Sequence, residues 1–112
     1  MADAEVTVVW TEGARGDLYA ITAPLHDISH SRAEALLVKM SEAVQRLALF
    51  PESGRKTTIA PYDELNVREI LVERYRVFYL FIADRLQVEI WAVFNARQDI
   101  ATRLAQRFEE GD

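Results

Sequence analysis

The chain of 112 residues contains no cysteine. Disulfides and thiolate metal sites are therefore excluded, and a reducing cytoplasm suits such a chain. Glycine and proline are scarce, four and three in all, so the places where they fall stand out as breaks between elements. No apolar run approaches the roughly 18 residues of a membrane span. The acidic opening "MADAE" also lacks the basic start of a signal peptide. A soluble, intracellular, cytoplasmic protein with no membrane partner is expected. Repeats, low-complexity tracts and linkers are absent too, so one domain over residues 1–112 is the natural count. Half of the residues are hydrophobic, and a chain of this size buries roughly 65% of its unfolded surface, enough for a core without staples.

Charge is present but uneven. The formal net charge is -5. Residues 1–54 carry four Lys/Arg against eight Asp/Glu, whereas residues 55–108 carry nine against seven. An acidic total argues against general nucleic-acid affinity, because phosphate contacts need clustered cations. Only the second half offers the means for such a patch.

"EVTVVW" (Glu5 to Trp10) is β-branched and aromatic and reads as a first strand. Thr11 then offers an N-cap, and Ala14, Leu18, Ile21 and Leu25 follow at helical spacing. Pro24 removes a donor and crowds the preceding turn, so this helix is expected to end or kink near Ala23. Ser31 and Glu34 have capping-box spacing ahead of an apolar stripe of Leu36, Leu37, Met40, Val44 and Leu47. That second helix should stop near Phe50, since Pro51 follows. After a polar loop come "NVREILV", "YRVFYLFI" and "QVEIWAVF", separated by hairpin-sized breaks, which favours an antiparallel meander. The middle run is apolar on both faces, as a central strand covered on both sides would be. Asp99 can cap a last helix whose Ile100, Leu104 and Phe108 share one face. The expected fold is α+β, in the order β-α-α-β-β-β-α, with two N-terminal helices on one face of a small antiparallel sheet.

"VVWTEGARGDL", "AVQRLALFPESGR", "VREILVERYRVFYLF" and "VEIWAVFNARQD" follow one another in an order and spacing that resembles the RelE/ParE superfamily. These are the toxins of type II toxin–antitoxin pairs, often described as plasmid stabilisation proteins. The resemblance spans roughly Val6 to Asp99, and "FPESGR" and "REILVERYRVFY" look most like the ParE-type branch. It implies a small toxin neutralised by a cognate antitoxin whose C-terminal segment wraps across it. ParE-like members poison DNA gyrase, and RelE-like members are ribosome-dependent mRNA endonucleases. A third reading keeps antitoxin binding without toxicity. ParE-like inhibition without catalysis is the leading expectation, and it calls for no cofactor.

RNA cleavage needs a base, an acid for the leaving oxygen and cations for the developing charge. Arg68, Arg74 and Arg76 offer cations from the sheet, and Arg97 from the loop after the last strand. Many family members have a His-Gly-x-Arg-Asp pattern at that loop, and here it reads "NARQD". Asn95 stands at the histidine position and cannot exchange a proton near neutral pH. RelE-type nucleases tend to keep a second basic residue two places after Arg68, where this chain has Ile70. No catalytic residue is therefore assigned.

The residues expected to meet the antitoxin or the target are Arg55, Lys56, Arg68, Arg74, Arg76, Asn95 and Arg97. For Arg68 and Arg76 the competing reading is structural, with Glu69, Glu73 or Glu89 as ion-pair partners. For Arg55-Lys56 it is a solvated loop. His26 and His30 are four residues apart near the break between helices, and Asp27, adjacent in sequence, would point elsewhere, so with no third ligand arranged beside them no metal is expected. Tyr75, Phe78, Tyr79, Phe81 and Trp91 are expected mostly in the core, with any exposed remainder forming a docking groove. The last helix either packs on the sheet or pairs with a second copy of the chain.

Overall fold

The computed structural model describes residues 5–110; the first four residues of "MADAE" and the final Gly111-Asp112 lie outside it. Strand β1 (Thr7–Trp10) leads through Thr11 into helix α1 (Glu12–Ile28), and helix α2 (His30–Leu49) follows. Strands β2 (Arg55–Lys56), β3 (Arg68–Val72), β4 (Tyr75–Ile82) and β5 (Gln87–Asn95) come next, and helix α3 (Ile100–Glu110) ends the described chain. No helix among the described residues is long and apolar enough to cross a membrane.

The five strands form one sheet in the order β1-β5-β4-β3-β2. The β3-β4-β5 meander is antiparallel, but β1 lies parallel to β5, with Val8 opposite Val88 and Trp10 opposite Ile90. The sheet is therefore mixed rather than antiparallel. No tight turn joins β1 to the meander, so hairpin geometry does not set its direction. The two-residue β2, expected as loop, pairs Arg55 with Glu69 and Lys56 with Arg68. Two residues are too few to show a period in sequence.

Local chemistry explains the helix boundaries. The Thr11 side chain accepts from the Ala14 N–H, as its N-cap position requires. Helix α1 does not break at Ala23 but runs through Pro24 to Ile28. Pro24 and Ala20 both lie on the exposed side, where water can satisfy the carbonyl that proline leaves without a donor. Ser29, not Ser31, divides the two helices. Its N–H donates to the Leu25 carbonyl at 2.7 Å, and its hydroxyl accepts from the Arg32 N–H at 3.3 Å. Glu34 is thus one turn inside α2 and takes no part in a capping box. Helix α2 ends as expected, with Phe50 as C-cap before Pro51.

Two cores sandwich the sheet. Met40, Val44 and Leu47 of α2 pack with Val77, Tyr79 and Ile90 on one face. On the other, Ile100 and Leu104 of α3 pack with Phe78, Ala92 and Phe94, joined by Tyr62 and Val67 from the long β2–β3 loop. Strand β4 therefore buries both faces. Phe78 and Tyr79 are fully buried, while Tyr75, Phe81 and Trp91 are half-buried. Helix α3, whose partner the sequence left open, covers the sheet, and Phe108 stacks on Trp91 at 4.8 Å and on Tyr62 at 5.1 Å.

The β4–β5 register passes from Phe78 opposite Ala92 to Tyr79 opposite Ile90, which leaves Trp91 as an extra residue. Such a bulge disrupts the ladder and bends the strand. Strand β1 stops opposite Ile90, so the outer edge of β5 beyond it has no strand beside it. Side chains fill that role. Asp17 of α1 accepts from the Val93 N–H at 2.9 Å, and Arg107 of α3 donates to the Trp91 carbonyl at 2.8 Å. The two side chains then join each other through two hydrogen bonds of 2.7 Å. Both are nearly buried, at 12% and 10% exposure.

Removing one partner of a buried ion pair leaves an uncompensated charge and costs about 3 kcal/mol or more. Arg107→Met, which keeps the apolar stem, should lower the unfolding free energy by about that amount in urea titrations at neutral pH. Asp17→Asn, which keeps an acceptor for Val93, should cost less. Equal midpoints for wild type and Arg107→Met would remove this pair from the account of stability.

Candidate functional site

The phrase "FPESGR" is held by two side chains that reach it from the sheet. Pro51 stops α2, and the chain turns back with the Ser53 N–H donating to the Phe50 carbonyl at 3.0 Å. Tyr79 of β4 donates its hydroxyl to the Pro51 carbonyl and accepts from the Gly54 N–H, both at 2.9 Å. Arg68 of β3 donates to the Gly54 carbonyl at 2.7 Å and to the Glu52 carbonyl at 3.1 Å. A longer contact of 3.4 Å reaches the Glu52 carboxylate. A Cβ at Gly54 would stand 2.5 Å from the Tyr79 hydroxyl and 2.9 Å from the Glu69 carbonyl, so only glycine fits. Burial pushes the Tyr79 hydroxyl pKa up, which keeps it protonated as a donor.

This clamp presents Arg55 to the next side chain along β3. Glu69 is 4% exposed and is the common acceptor of two guanidiniums. Arg76 of β4 binds it through two atoms, at 2.9 and 2.8 Å, and Arg55 adds a third bond at 3.1 Å. Burial works to raise the Glu69 pKa, but the hydrogen bonds from Arg76, Arg55 and Thr57 outweigh it and hold the carboxylate below its ordinary value. The Arg76 guanidinium also lies over the Phe78 ring, 5.3 Å from its centre. Two cations thus share one anion, leaving excess positive charge beside an open groove of about 800 Å³. The groove runs between the end of α2 and the β2–β3 edge, and Arg46 lines it as well. Its apolar rim includes Phe50 and Leu71, which are 63% and 68% exposed. The exposed apolar surface at this groove is thus supplied by the α2 terminus and β3 and not by the aromatic set of the meander.

The expected site residues separate into two groups. Arg55 and Arg76 converge on Glu69, and Arg68 holds the loop that carries Arg55. Of the ion-pair partners expected from sequence, Glu69 serves Arg76, whereas Arg68 pairs with Glu52. Lys56 is exposed on β2. Arg74, Asn95 and Arg97 gather where the β3–β4 turn meets the exit of β5, with the Ala96 N–H donating to the Arg74 carbonyl at 2.8 Å. Ala96 also lines the groove and so joins the two groups. The Asn95 side chain accepts from the Arg97 N–H at 3.0 Å, and its own N–H donates to Gln98 at 3.1 Å, so Asn95 shapes a turn. Tyr79, Glu52 and the shared role of Glu69 were not foreseen. The signal available was Glu69 itself, a carboxylate between Arg68 and the apolar Ile70-Leu71-Val72 of β3.

The arrangement can bind anionic groups and apolar side chains. His30 and Phe50 stand at opposite ends of α2, about 30 Å apart by helical rise, so the two histidines lie far from these cations. The ParE toxin family of type II toxin–antitoxin systems, parDE, matches residues 8–100. The chain belongs to the ParE toxin family. A solved structure, described as the chromosomal ParDE toxin–antitoxin system from P. aeruginosa, shares its fold with a TM-score of 0.63 at 18% identity. The match covers 80% of this chain and 95% of the other. No curated protein matches this ParE-family chain. Its α+β architecture and its place among toxin–antitoxin toxins follow from these matches.

A carboxylate whose folded pKa is depressed adds stability above its unfolded value, and loses that stability as pH falls through the folded value. Glu69 should therefore contribute in full above about pH 4.5, its ordinary value, and progressively less below it. Glu69→Gln should lower stability by about 3 kcal/mol at neutral pH, and its urea midpoint should approach that of wild type as pH falls below 4.5. A constant gap across the series would show that charge is not what Glu69 supplies. Tyr79→Phe, which strands the Gly54 N–H and the Pro51 carbonyl, should cost about 2 kcal/mol in the same assay.

Proposed function

We propose that this ParE-family chain is a cytoplasmic toxin that acts on DNA gyrase by binding and without catalysis, and that a cognate antitoxin neutralises it. The family match over residues 8–100 carries this reading. Asn95 in place of the family's histidine supports inhibition over RNA cleavage, since its side chain is committed to a turn and exchanges no proton.

The antitoxin's binding segment is proposed to lie along the groove beside Glu69. Apolar side chains would cover Phe50 and Leu71, and its carboxylates would meet Arg55 and Arg76. Arg68 contributes by holding the loop. Lys56, Arg74, Asn95 and Arg97 extend the contact surface along the sheet for antitoxin or target.

The test is induction of this chain without its antitoxin in a bacterial host, with growth and a DNA-damage reporter followed together. Arrest with a rising reporter is expected. Arrest with a silent reporter and falling translation would favour the endonuclease instead, and unimpeded growth with soluble protein would leave a non-toxic antitoxin-binding protein. With purified partners, Leu71→Asp and Arg55→Glu should each weaken antitoxin binding by roughly tenfold or more, as losses at central interface positions do. Unchanged affinity in both variants would move the antitoxin off this groove.

A further inference from the structure

We propose that His26, His30 and Glu34 form a surface site for a late first-row divalent metal ion, with Zn²⁺ as the representative member. One ligand atom from each residue can be drawn so that all three lie within 4.8 Å of one another. Two bonds of about 2.0–2.2 Å span at most about 4.4 Å, so a small rotation of these exposed side chains would bring two imidazole nitrogens and a carboxylate oxygen onto a single ion. His30 and Glu34 are one turn apart on α2, and His26 comes from the last turn of α1. In sequence the pair of histidines had no third ligand. Glu34 becomes one because Ser29, rather than Ser31, separates the helices.

Three features favour a metal over an incidental cluster. All three residues are exposed, and none of their side chains takes part in a hydrogen bond or ion pair among the described residues, so their lone pairs are available. The two imidazole rings lie with centres 3.6 Å apart, so that both bring ring nitrogens to the same small region of surface. A single residue, Ser29, joins the helices that carry them, since it ends α1 and caps α2 through backbone and side-chain bonds. Two imidazoles and one carboxylate select Zn²⁺, Ni²⁺ or Cu²⁺ over Mg²⁺ or Ca²⁺. Three protein ligands leave a coordination position for water or for a group from a partner. A bound ion would tie the end of α1 to the start of α2 at the opposite end of α2 from the groove.

The experiment is calorimetric titration of the full chain, carrying no histidine tag, with Zn²⁺, alongside melting curves with and without the ion. One ion per chain and a higher melting temperature in its presence are expected. His26→Ala and His30→Ala should each weaken binding by roughly tenfold or more and abolish the shift in melting temperature. Glu34→Gln should weaken binding while leaving the fold intact by circular dichroism. No binding at millimolar Zn²⁺, or the same affinity in either histidine variant or in Glu34→Gln, would overturn the site.

Discussion

The structure turns on a defect in one strand. Strand β5 carries an extra residue at Trp91 just where its parallel neighbour β1 ends. A bulged, unaccompanied edge leaves backbone polar groups without a ladder partner, and such groups are costly when buried. The protein answers with Asp17 and Arg107, which satisfy the Val93 N–H and the Trp91 carbonyl and then each other. A nearly buried carboxylate or guanidinium alone would be strongly unfavourable, so each residue needs the other. Because Asp17 lies on α1 and Arg107 on α3, the same contact ties together the helices that cover opposite faces of the sheet. With α3 fixed, Phe108 can stack on Trp91 and close the second core.

The site reuses that economy. The "FPESGR" loop reads as a recognition signature, yet its backbone is spoken for: Tyr79 and Arg68 bind Pro51, Glu52 and Gly54. What the loop does is set Arg55 against Glu69. Glu69 then fixes Arg76 through two parallel hydrogen bonds, a geometry that a guanidinium supports and an ammonium does not. Structural and binding readings of these arginines are therefore not rivals. An arginine oriented by a buried carboxylate loses less side-chain freedom when a ligand arrives, so the ion pairs prepare the surface they stabilise.

Much of the architecture was legible because it rests on short-range chemistry. The α2 stripe, the Thr11 and Asp99 caps, the stop at Pro51 and the three meander strands each follow from residues within a few positions of one another. Where the reading failed, a longer-range or solvent effect prevailed. Pro24 was tolerated because its face of α1 meets water. Ser29 displaced Ser31 because it could end one helix and begin the next.

The sequence by itself determined the order of every element but the two-residue β2 and the single 3₁₀ turn, the apolar faces that must be buried and the family to which the chain belongs. It did so because periodicity, capping and turn chemistry are local and leave their mark on neighbouring residues. Only the tertiary structure decided that β1 runs parallel to β5, that α3 covers the sheet, and that Arg55 and Arg76 meet on Glu69. It also decided that Glu34 stands beside His26 and His30. These are contacts between residues whose adjacency depends on how helices and strands cross in space, and no spacing along the chain encodes that.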